Sequence, residues 1–275
     1  MPDAQKRTMP MRRGAGAAAR LNVADLAGVV YSSGKVFDGL RTGRLDTENF
    51  LRSGSLDGIT SRSDLALLED LRDVSQFIIT NRELPINSAY VRAVNAQITR
   101  SGPMNPGHYR TGDQHIGVST QYGRHEPQPT SDTALQRIID RAMSKPDPRE
   151  QALELFVQIA KAQPFEDGNK RTALFVANSV LIRAPKLEML VVPVDENSPD
   201  KAARFNDLLA RAYVSGEHEG VKGLLRAEGF TSHASARDRK KSALMKNHPE
   251  LRGMKVDPRG LDSDERIERD GPQLG

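Results

Sequence analysis

The residues best suited to chemistry lie in one short segment. From Gln163 to Arg171 the chain reads Gln-Pro-Phe-Glu-Asp-Gly-Asn-Lys-Arg, between two of its most apolar runs. Gly168 allows a turn that a side chain would forbid. Asn169, Lys170 and Arg171 would then open a helix, where unpaired N–H groups and the positive end of the dipole gather. Cations are unfavourable at that end, so Lys170 and Arg171 call for an anion. A phosphate chain would satisfy both side chains and the N–H groups together. Asp167 is a hard oxygen ligand, suited to Mg2+ held against phosphates. Phe165 is placed to wedge the turn into the core. The competing reading is an exposed connection carrying solvated charges; the apolar flanks argue against it, because they place the turn where the chain is stiff.

The flanks predict helices. "PREQALELFVQIAKAQ" carries a buried stripe of Leu153, Phe156, Val157, Ile159 and Ala160, with Pro148 near its start. "RTALFVANSVLIRA" is apolar nearly all round, as expected of a helix in the middle of a bundle. Upstream, "SDLALLEDLRDVSQFIIT" repeats its apolar residues at helical spacing, with Ser63 or Asp64 as cap. "NSAYVRAVNAQITR" does the same, and so does "SDTALQRIIDRAMSK", which presents Leu135, Ile138, Ile139 and Met143 behind a Ser131 or Asp132 cap. The stretch from Leu21 to Asp38 predicts a shorter helix weakened by Gly28 and Gly34, and "DKAARFNDLLARAYVSGE" a last one. Between residues 101 and 132 Gly, Pro and polar residues predict an irregular loop with a short hairpin around "QHIGVST". The expected organisation is all-α: residues 1–20 disordered, one helical domain over 21–230, and a charged, disordered tail over 231–275.

These residues resemble the Fic/Doc family, whose motif runs His-Pro-Phe-x-(Asp/Glu)-Gly-Asn-Gly-Arg-x-x-Arg. The counterpart here is Gln163-Pro164-Phe165-Glu166-Asp167-Gly168-Asn169-Lys170-Arg171-Thr172-Ala173-Leu174. "PGHYRT" is similar to the segment that leads into the family's target-binding flap, "QHIGVST" to the flap, and "PQPTSD" to the link after it. The resemblance implies a helical bundle with a β-hairpin flap. It also implies ATP as donor and Mg2+, with transfer of AMP or another phosphate-containing group to a hydroxyl of a target protein. On that basis Asp167 is the Mg2+ ligand, Gly168 and Asn169 form an anion hole, and Lys170 and Arg171 complete the nucleotide site. Gln114, His115, Ile116, Gly117 and Val118 dock the target as an added strand.

Three departures from the family's motif bear on the activity. Gln163 occupies the place of the base, and an amide accepts hydrogen bonds but not protons near neutral pH. Lys170 replaces a glycine, which resembles the Doc branch and its phosphate transfer. Leu174 replaces the second arginine, the one that an inhibitory glutamate engages in self-inhibited relatives. "YSSGKVFDG" is near that inhibitory pattern, with Ser33 and Asp38 as candidates, but with Leu174 the acid has no partner at the expected place. His108, His115 and His125 fall in or near the flap and are candidate substitutes for the base; their spacing makes no zinc site.

The remaining bounds are broad. Of 275 residues, 28% are charged and 37% hydrophobic, with formal net charge +4 and no cysteine, which excludes disulfides and thiolate metal sites. No run approaches a membrane span and no signal-peptide core survives Arg20 and Asp25, so the reading is a soluble, cytoplasmic protein. "RDRKKSALMK" is a basic run without interleaved aromatics, so nucleic acid is not the expected partner. Such a tail suits docking to a secretion machine, with delivery into another cell. An antitoxin or another Fic protein is the other expected partner. Two functions remain side by side: a Fic-type transferase impaired at Gln163, and a pseudoenzyme that binds a nucleotide or protein without chemistry.

Overall fold

In the computed structural model, residues 21–232 are described. The element order is a 3-10 turn (Val23–Leu26), then α1 (Ala27–Phe37), α2 (Arg44–Ser53), α3 (Arg62–Thr80) and α4 (Ser88–Asn95). A hairpin follows, β1 (Val118–Thr120) and β2 (Gly123–His125), then α5 (Asp132–Met143), α6 (Pro148–Ala162) and α7 (Asn169–Leu181). The described part closes with β3 (Glu188–Leu190), α8 (Asp200–Val214), α9 (His218–Glu228) and β4 (Phe230–Ser232). It is a helical bundle with two small antiparallel strand pairs, β1 with β2 and β3 with β4. Of the expected tails, residues 1–20 and 233–275 with the basic run lie outside the described residues; Thr231 and Ser232, expected in the tail, belong to β4.

α7 is the axis. Every residue from Arg171 to Leu181 is buried, and α1, α3, α4, α6 and β3 all pack on it. That accounts for its nearly uniform apolarity. α6 leads into α7 through residues 163–168, so the polar turn sits between the two best-buried helices. Pro148 stands in the first turn of α6, and Asp147 caps it by accepting from the Arg149 N–H at 2.8 Å.

Two aspartates on α3 fix the loops that flank the site. Asp64, expected as a cap, is buried instead; it accepts from the N–H groups of Arg41 and Thr42 and from the Thr42 hydroxyl, each at 2.9 Å. Ser61 is the cap, ahead of both expected positions; its hydroxyl accepts from the Ser63 and Asp64 N–H groups. Asp70, fully buried, accepts from the N–H groups of Thr99, Arg100 and Ser101 and from the Ser101 hydroxyl. α4 ends at Asn95, earlier than the apolar spacing suggests, and residues 99–101 beyond it wrap around Asp70. Burial alone would raise the Asp70 pKa, but the hydrogen bonds from Ser101, Thr99 and Arg100 outweigh it and hold it below the usual range.

Two apolar faces differ from expectation. Met143 of α5 is exposed, and Ala142 completes the buried face with Leu135 and Ile139. α1 forms in spite of its glycines because Gly34 packs against Leu40, where an added Cβ would lie 3.0 Å from Leu40 Cδ2. Gly39, with φ +68°, then turns the chain so that the N–H groups of Asp38 and Leu40 both reach the Gly34 carbonyl. That turn sets Asp38 at the end of α1.

Candidate functional site

The polar turn is built by its own main chain and by four side chains. Gln163 ends α6 in the left-handed region, φ 42° and ψ 62°, the only non-glycine residue there among those described. Its N–H donates to the Ile159 carbonyl, and its carbonyl accepts from Arg110 Nε at 2.7 Å. The Arg110 N–H reaches the Pro164 carbonyl at 3.0 Å, and its guanidinium also holds the carbonyls of Pro127 and Gln128. Arg110 thereby ties the turn to the segment after the hairpin. Phe165, fully buried, pairs with Tyr109 through a β-bridge and ring stacking at 5.9 Å.

Asn169 closes the turn. Its Oδ1 accepts from the Phe165 N–H and its Nδ2 donates to the Phe165 carbonyl, both at 2.9 Å. The side chain expected to build an anion hole is therefore occupied as a clamp, and only main-chain N–H groups remain for a ligand at this residue. Gly168 has φ +73°, and an added Cβ would meet Ile98 Cδ1 at 2.7 Å, so both backbone and packing require glycine. Asn95, fully buried, reaches the Asp167 carbonyl and the Thr172 hydroxyl with Nδ2, and accepts from the Gly107 N–H. No side chain caps α7, so its first-turn N–H groups stay beside the cleft.

The charges converge on Arg171, which is 2% exposed. Its Nη1 donates to the Ser101 hydroxyl at 2.8 Å and its Nη2 to the Ser101 carbonyl at 3.1 Å. Asp38 Oδ1 lies 3.5 Å from its Nε, and Asp167 Oδ2 lies 3.5 Å from Nη2. Asp38 thus has a partner after all: Arg171, one helical turn before Leu174, which is itself in the core. Burial raises the Asp38 pKa, opposed by Arg171 and reinforced by Asp167. Ser33 is buried within α1, its hydroxyl without a partner, and does not reach this group. Lys170 places Nζ 5.2 Å from the Phe37 ring centre, and burial lowers its pKa against the pull of Asp38 and Asp167.

A cleft of about 260 Å³ runs over these residues, lined by Asp38, Gln163, Asp167, Gly168, Lys170 and Arg171 among others. A second of about 430 Å³ adjoins it between the hairpin and α8. The hairpin begins later than the sequence suggests. Only Val118 of the expected docking residues lies in a strand; Ile116 and Gly117 line the cleft ahead of it. Gln114 instead accepts from the Thr111 N–H, and His115, with its side chain 82% exposed, pairs with Glu126. His125 Nε2 sits 2.7 Å from the Lys161 carbonyl, and His108 Nδ1 sits 3.1 Å from the Pro106 carbonyl. No histidine among the described residues lines either cleft.

No cluster of three metal-binding side chains occurs among the described residues. Asp167 alone fits a magnesium site of the kind completed by substrate phosphates: its side chain is 58% exposed and borders the cleft. Asp167 Oδ1 also accepts from the Gly168 N–H, and neighbouring Glu166 accepts from the Met104 N–H at 3.1 Å. No described helix is long and apolar enough to cross a membrane.

The sequence reading passed over Ser101, Asp70, Asn95 and Tyr213. The first three are polar residues whose partners lie 12 to 77 positions away, so no local spacing exposes them.

Fic-1 from C. elegans is similar to this chain with a TM-score of 0.55 at 18% identity, over 79% of this chain and 62% of that one. A variant of Fic-1 gives 0.58 at 17%, over 80% and 63%. A Fic domain containing signaling protein from Bacteroides thetaiotaomicron gives 0.53 at 20%, over 73% and 80%. Identities this low establish a common fold and nothing finer, and the chain spans less than two thirds of Fic-1. No curated protein matches. The Fic/DOC family model matches the stretch that runs from just before α4 to the end of α7 and contains the turn, its clamps and Arg171; residues 85–181 of this chain form a Fic/DOC family domain.

Proposed function

We propose that the chain is a Fic-type nucleotide-binding protein whose transfer step is impaired at Gln163. One observation carries this reading: a cleft lined by Asp167, Arg171 and the uncapped start of α7 has Gln163 at its head and no histidine within it. Arg171 and the first-turn N–H groups of α7 support an anion cradle, while the proton acceptor of the family motif is replaced by Gln163. In this reading ATP is the donor, and its phosphates lie against the first turn of α7 and Arg171. Asp167 would hold Mg2+ against them, supplying charge neutralisation. A target segment pairs with the hairpin from Val118 onward and presents a hydroxyl beside Gln163. The amide orients that hydroxyl but cannot take its proton. Loss of a general base lowers a rate by about 10²–10⁴-fold. Lys170, crowding the cradle, favours phosphate over AMP as the group moved. Asp38, paired with Arg171, acts as the internal competitor of the phosphates.

The positions of His108, His115 and His125 favour a second reading, a pseudoenzyme that binds nucleotide or a partner such as an antitoxin or an active Fic protein. One experiment separates the two. The chain and Gln163→His are each incubated with ATP, Mg2+ and a cell lysate, and proteins are searched by mass spectrometry for added AMP or phosphate. Slow transfer by the chain and faster transfer by Gln163→His is the expected result. Transfer by Gln163→His alone leaves the chain itself a pseudoenzyme. Silence from both, although ATP binds, removes the transferase reading altogether.

A further inference from the structure

The turn of the hairpin is two residues long, Gln121 and Tyr122, and both reach across to one carboxylate on α8. The Tyr122 hydroxyl and Gln121 Nε2 each donate to Asp207 Oδ1. Arg211, one helical turn along α8, donates to Asp207 Oδ2 at 3.2 Å and lays its guanidinium 4.8 Å from the centre of the Tyr122 ring. Hydrogen bonding from Tyr122 comes first among the causes that hold the Asp207 pKa below the usual range, so the acceptor stays charged. The turn itself is stiff: Thr120 Oγ1 accepts from the Tyr122 N–H at 3.0 Å and donates to the Gly123 carbonyl at 2.8 Å. At the other end of the hairpin the His125 ring stacks on Tyr213 at 5.2 Å, and its Nε2 meets the Lys161 carbonyl at 2.7 Å. The hairpin therefore lies along α8 with two unlike attachments. At its base the contact with α8 is ring on ring, with Tyr213 buried; at its tip it is polar, with the side chains of Asp207 and Arg211 31% and 43% exposed. Exposed polar contacts contribute little net stability, so the tip parts before the base.

The larger cleft lies between these two walls. Ser119, Thr120 and Gln121 line it from the hairpin, Ala203, Asn206 and Ala210 from α8, and Asp207 bridges the two at the tip. Its volume of about 430 Å³ is in the range of small-molecule sites. Val118, Lys170 and Tyr213 line this cleft and the polar one alike, so the two adjoin there. We propose that the Gln121–Tyr122 turn and Asp207 form a latch: the hairpin is a strap over the larger cleft, and nucleotide enters and leaves while the Asp207 contacts are parted. The proposal rests on the nucleotide reading given above and deepens it, since it names the element that regulates access to that site. With phosphates at Arg171 and the start of α7, the nucleoside extends past Lys170 toward the larger cleft, beneath the strap. Asp207 is then a positioning residue that acts through Tyr122 and Gln121 on the hairpin. Its pair with Arg211 alone would be an ordinary helix-surface contact; the two donors from the hairpin give it the second role.

The test compares the full chain with Tyr122→Phe, which keeps the ring beside Arg211, and with Asp207→Asn, which keeps the shape and removes the charge. Three quantities are measured on each: melting temperature, hydrogen exchange of residues 116–125, and stopped-flow binding of 2-aminopurine riboside triphosphate, a fluorescent analogue of ATP, with Mg2+. Melting temperatures close to that of the parent are expected. Exchange of residues 116–125 should be about threefold to tenfold faster, with α6 and α7 unchanged. Association and dissociation of the nucleotide should both quicken by about the same factor, so that affinity changes little. Faster hairpin exchange with unchanged nucleotide rates overturns the proposal and leaves the nucleotide reading intact. Unchanged exchange in both variants also overturns it, since something other than Asp207 then holds the tip. A marked fall in melting temperature in both variants does the same, because the contact then belongs to the stability of the fold. If the parent chain binds no nucleotide, the nucleotide reading fails and this proposal fails with it.

Discussion

Asp38 Oδ1 lies 3.5 Å from Nε of Arg171, and the two side chains come from the end of α1 and the first turn of α7. Ser101 holds the same guanidinium from its other edge. Arg171 is thus positioned without any ligand, and a phosphate that uses it must contend with a carboxylate already there. Asp38→Asn keeps the shape and removes the charge. Tripolyphosphate is expected to bind it about tenfold more tightly, on the scale of one charge-assisted contact. Titration calorimetry reads the difference, and equal affinity would show that Asp38 does not compete.

Ser101 couples Asp70 to Arg171. Its hydroxyl donates to Asp70 at 2.8 Å and accepts from Arg171 at 2.8 Å. Ser101→Ala is expected to lower stability by about 1–3 kcal/mol, because both buried partners lose a bond. Nucleotide affinity should fall with it, as Arg171 gains freedom to lean toward Asp38. Denaturant unfolding and calorimetry on one preparation check both effects.

Gly168→Ala tests the turn itself. The new Cβ meets Ile98 Cδ1 at 2.7 Å in a backbone with φ +73°. A loss of about 1–3 kcal/mol is expected from the backbone conformation and the crowding. A wild-type melting curve would show that the turn relaxes easily.

Glu188 on β3 gives a pH prediction away from the cleft. Arg149 donates to it at 2.7 and 2.6 Å, and Lys186 lies 2.7 Å away. Hydrogen bonding by Arg149 comes first among the causes that push its pKa down to about 2. The folded value lies below the unfolded one, so the unfolded chain binds more protons between them. The stabilisation is full above the ordinary glutamate pKa of about 4.3 and fades as pH falls toward the folded value. Glu188→Gln should therefore be less stable than the parent at neutral pH, with the gap closing in acid. A gap that stays constant across that window would refute it.

Much of the bundle is legible in the sequence because its signal is local. Leu67, Leu71, Val74 and Ile78 recur at helical spacing and are buried as that spacing demands, and the unbroken apolarity of α7 follows from its central place. The turn is legible for a similar reason: glycine, acid and cations sit within a few residues. What escapes is non-local. Asp64 reads as a cap because its loop partners lie 22 and 23 residues before it. Asp38 lacks a partner when only Leu174 is considered, since the approach of α1 to the start of α7 is a tertiary fact. α9 carries Gly220 and Gly223, which weaken the local helical signal, yet Val221, Leu224 and Leu225 bury its face. Tyr213 looks like one more apolar position, and only its unpartnered hydroxyl sets it apart.

The hydrogen bonds of Gln163 within the described residues all run through its main chain, to Ile159 and from Arg110. The scaffold is therefore indifferent to the identity of this side chain in a way that it is not to Gly168 or Asn169. Exchange at position 163 is expected to be close to neutral for folding. If Gln163 stands where the proposed reaction needs its base, a lineage could cross that position in either direction, silencing or reviving the chemistry in a single step with the architecture around it undisturbed.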